Sequence, residues 1–258
     1  MKRLHDRRVI VTGAGSGIGA ATVRRLLDEG AHVIAVDVSA GGLAETQKIC
    51  TEFGVSDKLS TEVLDISDPE RVAATIDIAV QRLTGIDILV NAAGILLTDR
   101  THEMTLDRWN RIIAVNLTGT FLMVRSALPH LLQSRHGGVL VNFSSTSAFY
   151  AHPYLAAYAA TKGAIASMTH SIALEYAKQG LRAVNIVPGG ITSAITTKSI
   201  LDLPEGFDHT LFTKLHAWLG GGNLGAPEDV ASVVAMLASD DGKFISGTEI
   251  RIDGGAHM

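Results

Sequence analysis

The chain has 258 residues, 47% of them hydrophobic and 19% charged, enough for one globular domain with a large core. Its net charge of 22 − 26 = −4 excludes a basic face for nucleic acid or anionic lipid. Ten scattered histidines without an HExxH pattern argue against a metal site, and the single cysteine, Cys50, excludes an internal disulfide. The basic start, Met1 to Arg8, leads into only Val9-Ile10-Val11, too short for a signal-peptide core. No apolar run approaches the ~18 residues of a membrane span. A cytoplasmic protein without a membrane or nucleic-acid partner is therefore expected.

Short β-branched runs alternate with helical patterns. Val9–Thr12 reads as a buried strand, Ile18–Glu29 as a helix, His32–Val36 as a strand and Leu43–Phe53 as a helix. Leu59–Leu64 is a weaker strand. Asp68 is placed to cap the next helix, with Pro69 at its first position. Ile86–Val90 is a fourth strand. Thr105–Ser134 has helical periodicity, with bends expected near Gly119 and Pro129. Val139–Phe143 is a strand, Ala157–Lys178 a long helix, and Leu181–Val187 a strand. A helix starts at Pro227, and Glu249–Ile252 closes the chain as a strand. Continuously apolar strands separated by helices predict an α/β fold, a doubly wound parallel sheet of about seven strands covered on both faces. Without repeats or linkers, residues 1–258 read as a single domain.

Two motifs carry chemistry. The first is Thr12-Gly13-Ala14-Gly15-Ser16-Gly17-Ile18-Gly19, set between the first strand and the first helix. Glycines there permit a tight turn and let backbone N–H groups reach a pyrophosphate on the helix N-terminus. Asp37 ends the second strand 37 − 19 = 18 residues beyond the last glycine, where a carboxylate holds an adenosine ribose. The same carboxylate repels the extra phosphate of NADP, and neither Ser16 nor Val38 supplies a cation, so NAD is the expected cofactor. The second motif is Tyr158 and Lys162, one helical turn apart, with Ser145 upstream. A phenol has an ordinary pKa of about 10, and an adjacent ammonium is expected to draw it towards working pH. Of the four tyrosines only Tyr158 has a lysine four residues on.

Along nearly its whole length the sequence resembles the short-chain dehydrogenase/reductase family, of Rossmann type. The Thr12–Gly19 loop looks like that family's phosphate motif, and Asn91-Ala92-Ala93-Gly94 resembles its Asn-Asn-Ala-Gly motif with Ala92 in place of an Asn. Asn116 matches the family's catalytic asparagine. Ser145 lies 158 − 145 = 13 residues before Tyr158, the family's usual spacing. Pro188-Gly189-Gly190-Ile191-Thr192 resembles the segment that holds the nicotinamide carboxamide, although Thr192 follows Ile191 directly. The tail from Gly247 to Gly255 is also typical.

The resemblance implies roles. Tyr158 would exchange a proton with the substrate oxygen, Lys162 would lower the phenol pKa and bind the nicotinamide ribose, and Ser145 would hold the substrate oxygen. Asn116 would hold a water linking Lys162 to solvent. Asp65 and Ile66 would meet the adenine, although Asp65 could instead be a strand-end capping carboxylate. Ser144 and Ser147 crowd Ser145, with Ser144 the fallback. His152 is either a second acid–base group or a surface histidine; His102, His209 and His216 read as surface groups. Residues 193–225 would form a lid. Its apolar residues Ile195, Ile200, Leu201, Leu203, Phe207, Leu211, Phe212, Leu215, Trp218 and Leu219 face either the substrate or other parts of the protein. With Leu96, Leu97, Phe149 and Tyr154 nearby, they point to a small or medium apolar ketone or secondary alcohol. The glycines Gly220, Gly221 and Gly222 suit a hinge. The two long helices would pair across two-fold axes in a homotetramer. A 3-oxoacyl-thioester reductase, a hydroxyacyl-CoA or steroid-type dehydrogenase, and a non-catalytic NAD(H)-sensing scaffold stand as alternatives.

Overall fold

The computed structural model describes residues 2–193, 202–212, 215, 217–219 and 221–257. Seven parallel strands form one sheet: β1 Arg8–Thr12, β2 His32–Asp37, β3 Leu59–Val63, β4 Ile88–Asn91, β5 Val139–Phe143, β6 Arg182–Pro188 and β7 Glu249–Ile252. Their order is β3-β2-β1-β4-β5-β6-β7. The order reverses between β1 and β4, which opens a crevice at the carboxyl ends of those strands, as in a Rossmann-type doubly wound sheet.

Strand alternation sorts side chains into two cores. Val9 and Val11 pack on one face with Leu26 and Val234. Ile10 packs on the other with Ile76, Met123 and Leu140. The first face is covered by α1 Gly17–Asp28, α2 Ala40–Glu52 and α7 Pro227–Ala238, and the second by α3 Pro69–Leu83, α5 Thr120–Leu131 and α6 Ala156–Tyr176. Asp68 caps α3 as the sequence indicated, accepting from the Glu70 and Arg71 N–H groups (both 3.1 Å), with Pro69 at the first position. Helix α2 begins three residues before its expected start. Ser39 caps it by accepting from the Gly42 N–H (3.0 Å), and the glycines 41 and 42 obscured that start.

The expected Thr105–Ser134 helix is interrupted just before Gly119, one of the two places expected, while it runs on through Pro129. After α4, Leu106–Ile112, the chain widens into a π-helical turn over Ile113–Gly119 and then continues as α5 through Pro129. Asn116 sits in that turn, fully buried. Such turns gather at functional sites. The continuous stretch Leu106–Leu131, 26 residues whose most apolar window has a mean hydropathy of 1.4, has the length and composition of a membrane span, which counting apolar runs did not reveal. Half of its most apolar window is buried within the fold.

A row of polar residues crosses the sheet near the carboxyl ends. Thr12, Asn91, Asn142 and Asn185 stand in register on β1, β4, β5 and β6. The Asn91 amide donates to the Asn142 carbonyl (2.9 Å), and the Asn142 amide donates to the Thr169 hydroxyl on α6 (2.8 Å). The Asn185 amide donates to the Ala166 carbonyl (3.2 Å). These buried bonds fix the height of α6 over the sheet, because a buried polar group left unpaired costs about 1–3 kcal/mol.

Candidate active site

Two adjoining cavities lie above the carboxyl ends of the strands. The first, about 240 Å³, is lined by Gly13, Ser16, Gly17, Ile18, Gly19, Asp37, Asp65, Ile66, Ala93 and Arg111, among others. The second, about 330 Å³, is lined by Ser145, Tyr158, Lys162, Pro188, Gly189 and Ile191, with apolar Leu96, Leu155 and Leu215. Ile18, Ala92, Gly94 and Ser193 border both.

The first cavity fits a dinucleotide. Gly13 has φ +67°, and a Cβ there would lie 2.7 Å from the Ala93 nitrogen. A Cβ on Gly19 would lie 2.0 Å from the Gly13 oxygen, so only glycine lets loop and helix close on each other. The Ser16 hydroxyl makes no bond to the first turn of α1, which borders the cavity. Asp37 accepts from the Gly15 N–H (2.9 Å) and the Ser39 N–H (2.8 Å), which orients its carboxylate. Asp65 also lines the cavity, but its carboxylate accepts from the Ser67 N–H (2.9 Å) and hydroxyl (2.6 Å) and meets Arg111 at 3.4 Å. These bonds stay within the loop, and the helix cap expected of Asp65 is made by Asp68 instead. Burial pushes the Asp65 pKa up, but the Ser67 and Arg111 contacts outweigh it and leave it lowered. Arg111 is a cation on the cavity wall that sequence reasoning missed, since only the fold brings α4 there.

Asn91 does not reach the cavity wall. Its amide donates to Asn142, while Ala92, Ala93 and Gly94 take the exposed positions. The Asn116 side chain is also fully engaged. Its oxygen accepts from the Ile95 N–H (2.8 Å), and its amide donates to the Ile95 carbonyl (2.9 Å) and the Thr161 hydroxyl (3.2 Å). It thus ties the loop after β4 to the helix turn that carries Lys162.

Helix α6 presents Tyr158 and Lys162 to the second cavity. The Lys162 ammonium donates to the Phe143 carbonyl (2.7 Å) and lies 5.6 Å from the Tyr158 ring centre. The expected lowering of the phenol pKa is reversed in the chain alone. Burial pushes Tyr158 up to about 12, opposed only by its hydrogen bond with Ser145. Burial also lowers Lys162 to about 8. Desolvation is the first cause of both shifts, and no attraction between the two groups contributes to either.

The three serines separate. The Ser144 hydroxyl donates to the Lys162 carbonyl (2.9 Å), and the Ser147 hydroxyl is buried without a partner. Ser145 is the serine bonded to the phenol.

Of the lid residues named from sequence, Ile195, Ile200, Leu201 and Gly220 lie outside the described residues, as does His216. The segment's two ends meet: the Gly225 N–H donates to the Gly190 carbonyl and the Thr192 N–H to the Gly225 carbonyl (both 2.9 Å). Leu215 lines the second cavity, and Leu203 and Phe212 line a smaller pocket beside it. Trp218 and Leu219 are exposed. Tyr154, held at φ +64°, accepts the Asp208 N–H on its hydroxyl (2.9 Å) and stacks near Phe212.

Sequence reasoning also missed the tail. Ala256 and His257 form part of the catalytic cavity wall. His257 stacks on Tyr150 at 4.3 Å, and Tyr150 hydrogen-bonds Arg251 of β7. No spacing rule links residue 257 to residue 158; the closing strand brings them together.

Comparison with known proteins agrees with this geometry. The family described as enoyl-(acyl carrier protein) reductase matches residues 13–257. A 3beta-hydroxysteroid dehydrogenase 1 from Eggerthella lenta is 37% identical, over 98% of this chain and 94% of its own length. A 3-ketoacyl-(acyl-carrier-protein) reductase from Brucella melitensis, solved with NADH, is 29% identical with a TM-score of 0.88, covering 99% of this chain and 100% of that one. A short chain dehydrogenase from Mycobacterium paratuberculosis, solved bound to NAD, is 25% identical with a TM-score of 0.88, covering 98% of both chains. With the glycine loop, the Ser-Tyr-Lys cluster and the sheet order in place, the chain belongs to the short-chain dehydrogenase/reductase family.

Proposed function

We propose that this chain is an NAD-dependent oxidoreductase that interconverts a secondary alcohol and a ketone with an apolar body. The meeting of Ser145, Tyr158 and Lys162 where a dinucleotide-shaped cavity joins an apolar one carries this reading. Bound nicotinamide would accept or supply the hydride. Ser145 and Tyr158 would hold the substrate oxygen between two hydroxyls. At neutral pH Tyr158 is a protonated phenol, the form that gives a proton to a ketone oxygen. Lys162 would bind the nicotinamide ribose, and Asn116, through its bonds to Ile95 and Thr161, would hold both sides of the cleft in register.

Asp37 supports NAD over NADP, because a carboxylate beside a 2′-phosphate costs several kcal/mol. Arg111 does not offset this, being paired with Asp65. Residues 193–225 would act as a lid, a role supported by its pinned ends. Exposed Leu106, Trp109, Phe121 and Leu174 on the outer helices support a homotetramer. A cytoplasmic setting fits the unpaired Cys50.

One observation keeps a thioester reductase as a second reading. The Brucella 3-ketoacyl reductase was solved with NADH, so NAD preference does not separate the two classes. The experiment is spectrophotometric. NAD and NADP are offered separately with secondary alcohols, hydroxy acids and hydroxyacyl thioesters, and reduced cofactor is followed. Turnover with NAD on apolar alcohols is expected. Turnover with NADP alone, or on thioesters alone, overturns the first reading. Silence with tight NADH binding would favour a sensing scaffold.

A further inference from the structure

His152 occupies a position that the proposed chemistry does not use. It lines the catalytic cavity with Ser145 and Tyr158, and it also lines the smaller pocket formed by Leu96, Thr98, Leu155, Leu203, Phe212 and Leu215. It therefore stands between the reacting end and an apolar recess. Its Nδ1 lies 3.0 Å from the Tyr150 carbonyl. A carbonyl only accepts, so Nδ1 carries the proton and the neutral ring presents a lone pair at Nε2. Among the described residues no donor meets that nitrogen.

We propose that His152 Nε2 is a second polar anchor in the catalytic cavity, and that the substrate carries a hydroxyl, separate from the reacting carbon's oxygen, that donates a hydrogen bond to it. The inference rests on the oxidoreductase reading and narrows its substrate class to hydroxyketones and diols with an apolar remainder. Three observations favour this over recognition of an acid. Burial and the neighbouring His257 both lower the His152 pKa, which keeps the ring neutral and an acceptor. The His257 ring centre is 5.4 Å away. The Asp253 carboxylate already faces the His257 Nδ1 (3.1 Å), so that side of the ring is occupied by an anion of the protein itself. The rest of the recess is apolar apart from the Thr98 hydroxyl, which is spent on the Asp202 carbonyl (2.5 Å). A carboxylate placed beside His152 would meet the Nε2 lone pair.

The test compares substrate pairs that differ by one hydroxyl: butanone with 3-hydroxybutanone, cyclohexanone with 2-hydroxycyclohexanone, and pyruvate as the acid control, each with NADH and the full chain. The wild-type protein should show kcat/KM at least about tenfold higher for the hydroxyketone of a pair. His152→Phe should lower the hydroxyketone value about tenfold more than the ketone value, closing the gap. His152→Gln, which restores an acceptor oxygen, should recover part of it. A general packing role would lower both members alike, so equal losses overturn the inference. Equal wild-type values within pairs, or a preference for pyruvate, also overturn it while leaving the oxidoreductase reading intact. No turnover with any ketone while NADH binds overturns both.

Discussion

The Ser144 hydroxyl on the carboxyl end of β5 donates to the backbone carbonyl of Lys162, 2.9 Å away in α6. Its neighbour Ser145 instead bonds the Tyr158 phenol. Adjacent serines thus divide structure from chemistry. Ser145→Ala should lower kcat/KM by about 10²–10³ with little change in Tm. Ser144→Ala removes a buried second hydrogen bond to an interior helix carbonyl and should cost about 0.5–1.5 kcal/mol of stability. Parallel kinetics and thermal melts check the assignment, and the opposite pattern would exchange the two roles.

Tyr158→Phe removes the only phenol in contact with Ser145. Turnover should fall by at least about 10²–10⁴. NADH binding, followed by its fluorescence, should persist, because the glycine loop and Asp37 are untouched. In the wild-type protein the phenol at about 12 stays protonated across neutral pH. Ketone reduction should therefore be nearly flat from pH 6 to 8, while alcohol oxidation, which needs the phenolate, should rise with pH. A reduction rate that collapses within that range would point to a different proton donor.

Lys162 gives a pH-dependent stability in the unliganded protein. Its folded pKa of about 8 lies below the ordinary 10.5. Below pH 8 both folded and unfolded chains carry the charge, and the folded chain bears the full cost of burying it. As pH rises from about 8 to 10.5, the folded chain sheds the proton first and gains up to roughly 3 kcal/mol relative to the unfolded chain. Lys162→Met should remove that gain. Urea unfolding of the two proteins at pH 7, 8, 9 and 10 measures it, and parallel curves would contradict it.

On the NAD reading proposed above, Asp37 is the charge that would face the 2′-phosphate of NADP. Asp37→Ser keeps a small polar group at the strand end while removing the repulsion. The ratio of kcat/KM for NADP to that for NAD should rise about 10- to 100-fold. An unchanged ratio would move the discrimination elsewhere, with Arg111 the first residue to test.

Asp87 is fully buried and accepts from the Arg8 guanidinium (2.6 and 2.9 Å) and the Ser134 hydroxyl (2.6 Å). Burial pushes its pKa up, but these bonds outweigh it and hold it at about 2. Its folded pKa is depressed, so its contribution is complete above the ordinary 3.8 and is lost as pH falls through 2. Asp87→Asn should cost about 3 kcal/mol at pH 7, and the two proteins should converge near pH 2. Denaturant titrations across that range decide it.

The inner strands were legible because they are short, β-branched and buried on both faces, so each reads as a continuous apolar run. The catalytic triplet was legible because the sequence puts Tyr158 and Lys162 one turn apart on a single helix. Other parts depended on relations that no local pattern encodes. The π turn around Asn116 follows no local period, and at its end a Cβ on Gly119 would come within 2.7 Å of Ile66, a contact that only the fold reveals. Asn91 looked like a cofactor ligand; its side-chain amide donates to its strand partner Asn142, while its oxygen has no partner among the described residues. The direction of the Tyr158 shift was misjudged because spacing reports proximity of charge and says nothing about lost water. His257 and Arg111 came into view only with the fold.

The polar row of Thr12, Asn91, Asn142 and Asn185 also has an evolutionary reading. It sets α6, and with it the proton-transferring pair, from strand register, independently of the loops above. The described walls of the second cavity, by contrast, come in part from connections: Leu215 and Leu224 after β6, His152 and Leu155 before α6, and Ala256 and His257 of the tail. A lineage built on this plan can exchange one substrate for another by rewriting those connections, while the reacting atoms keep their places.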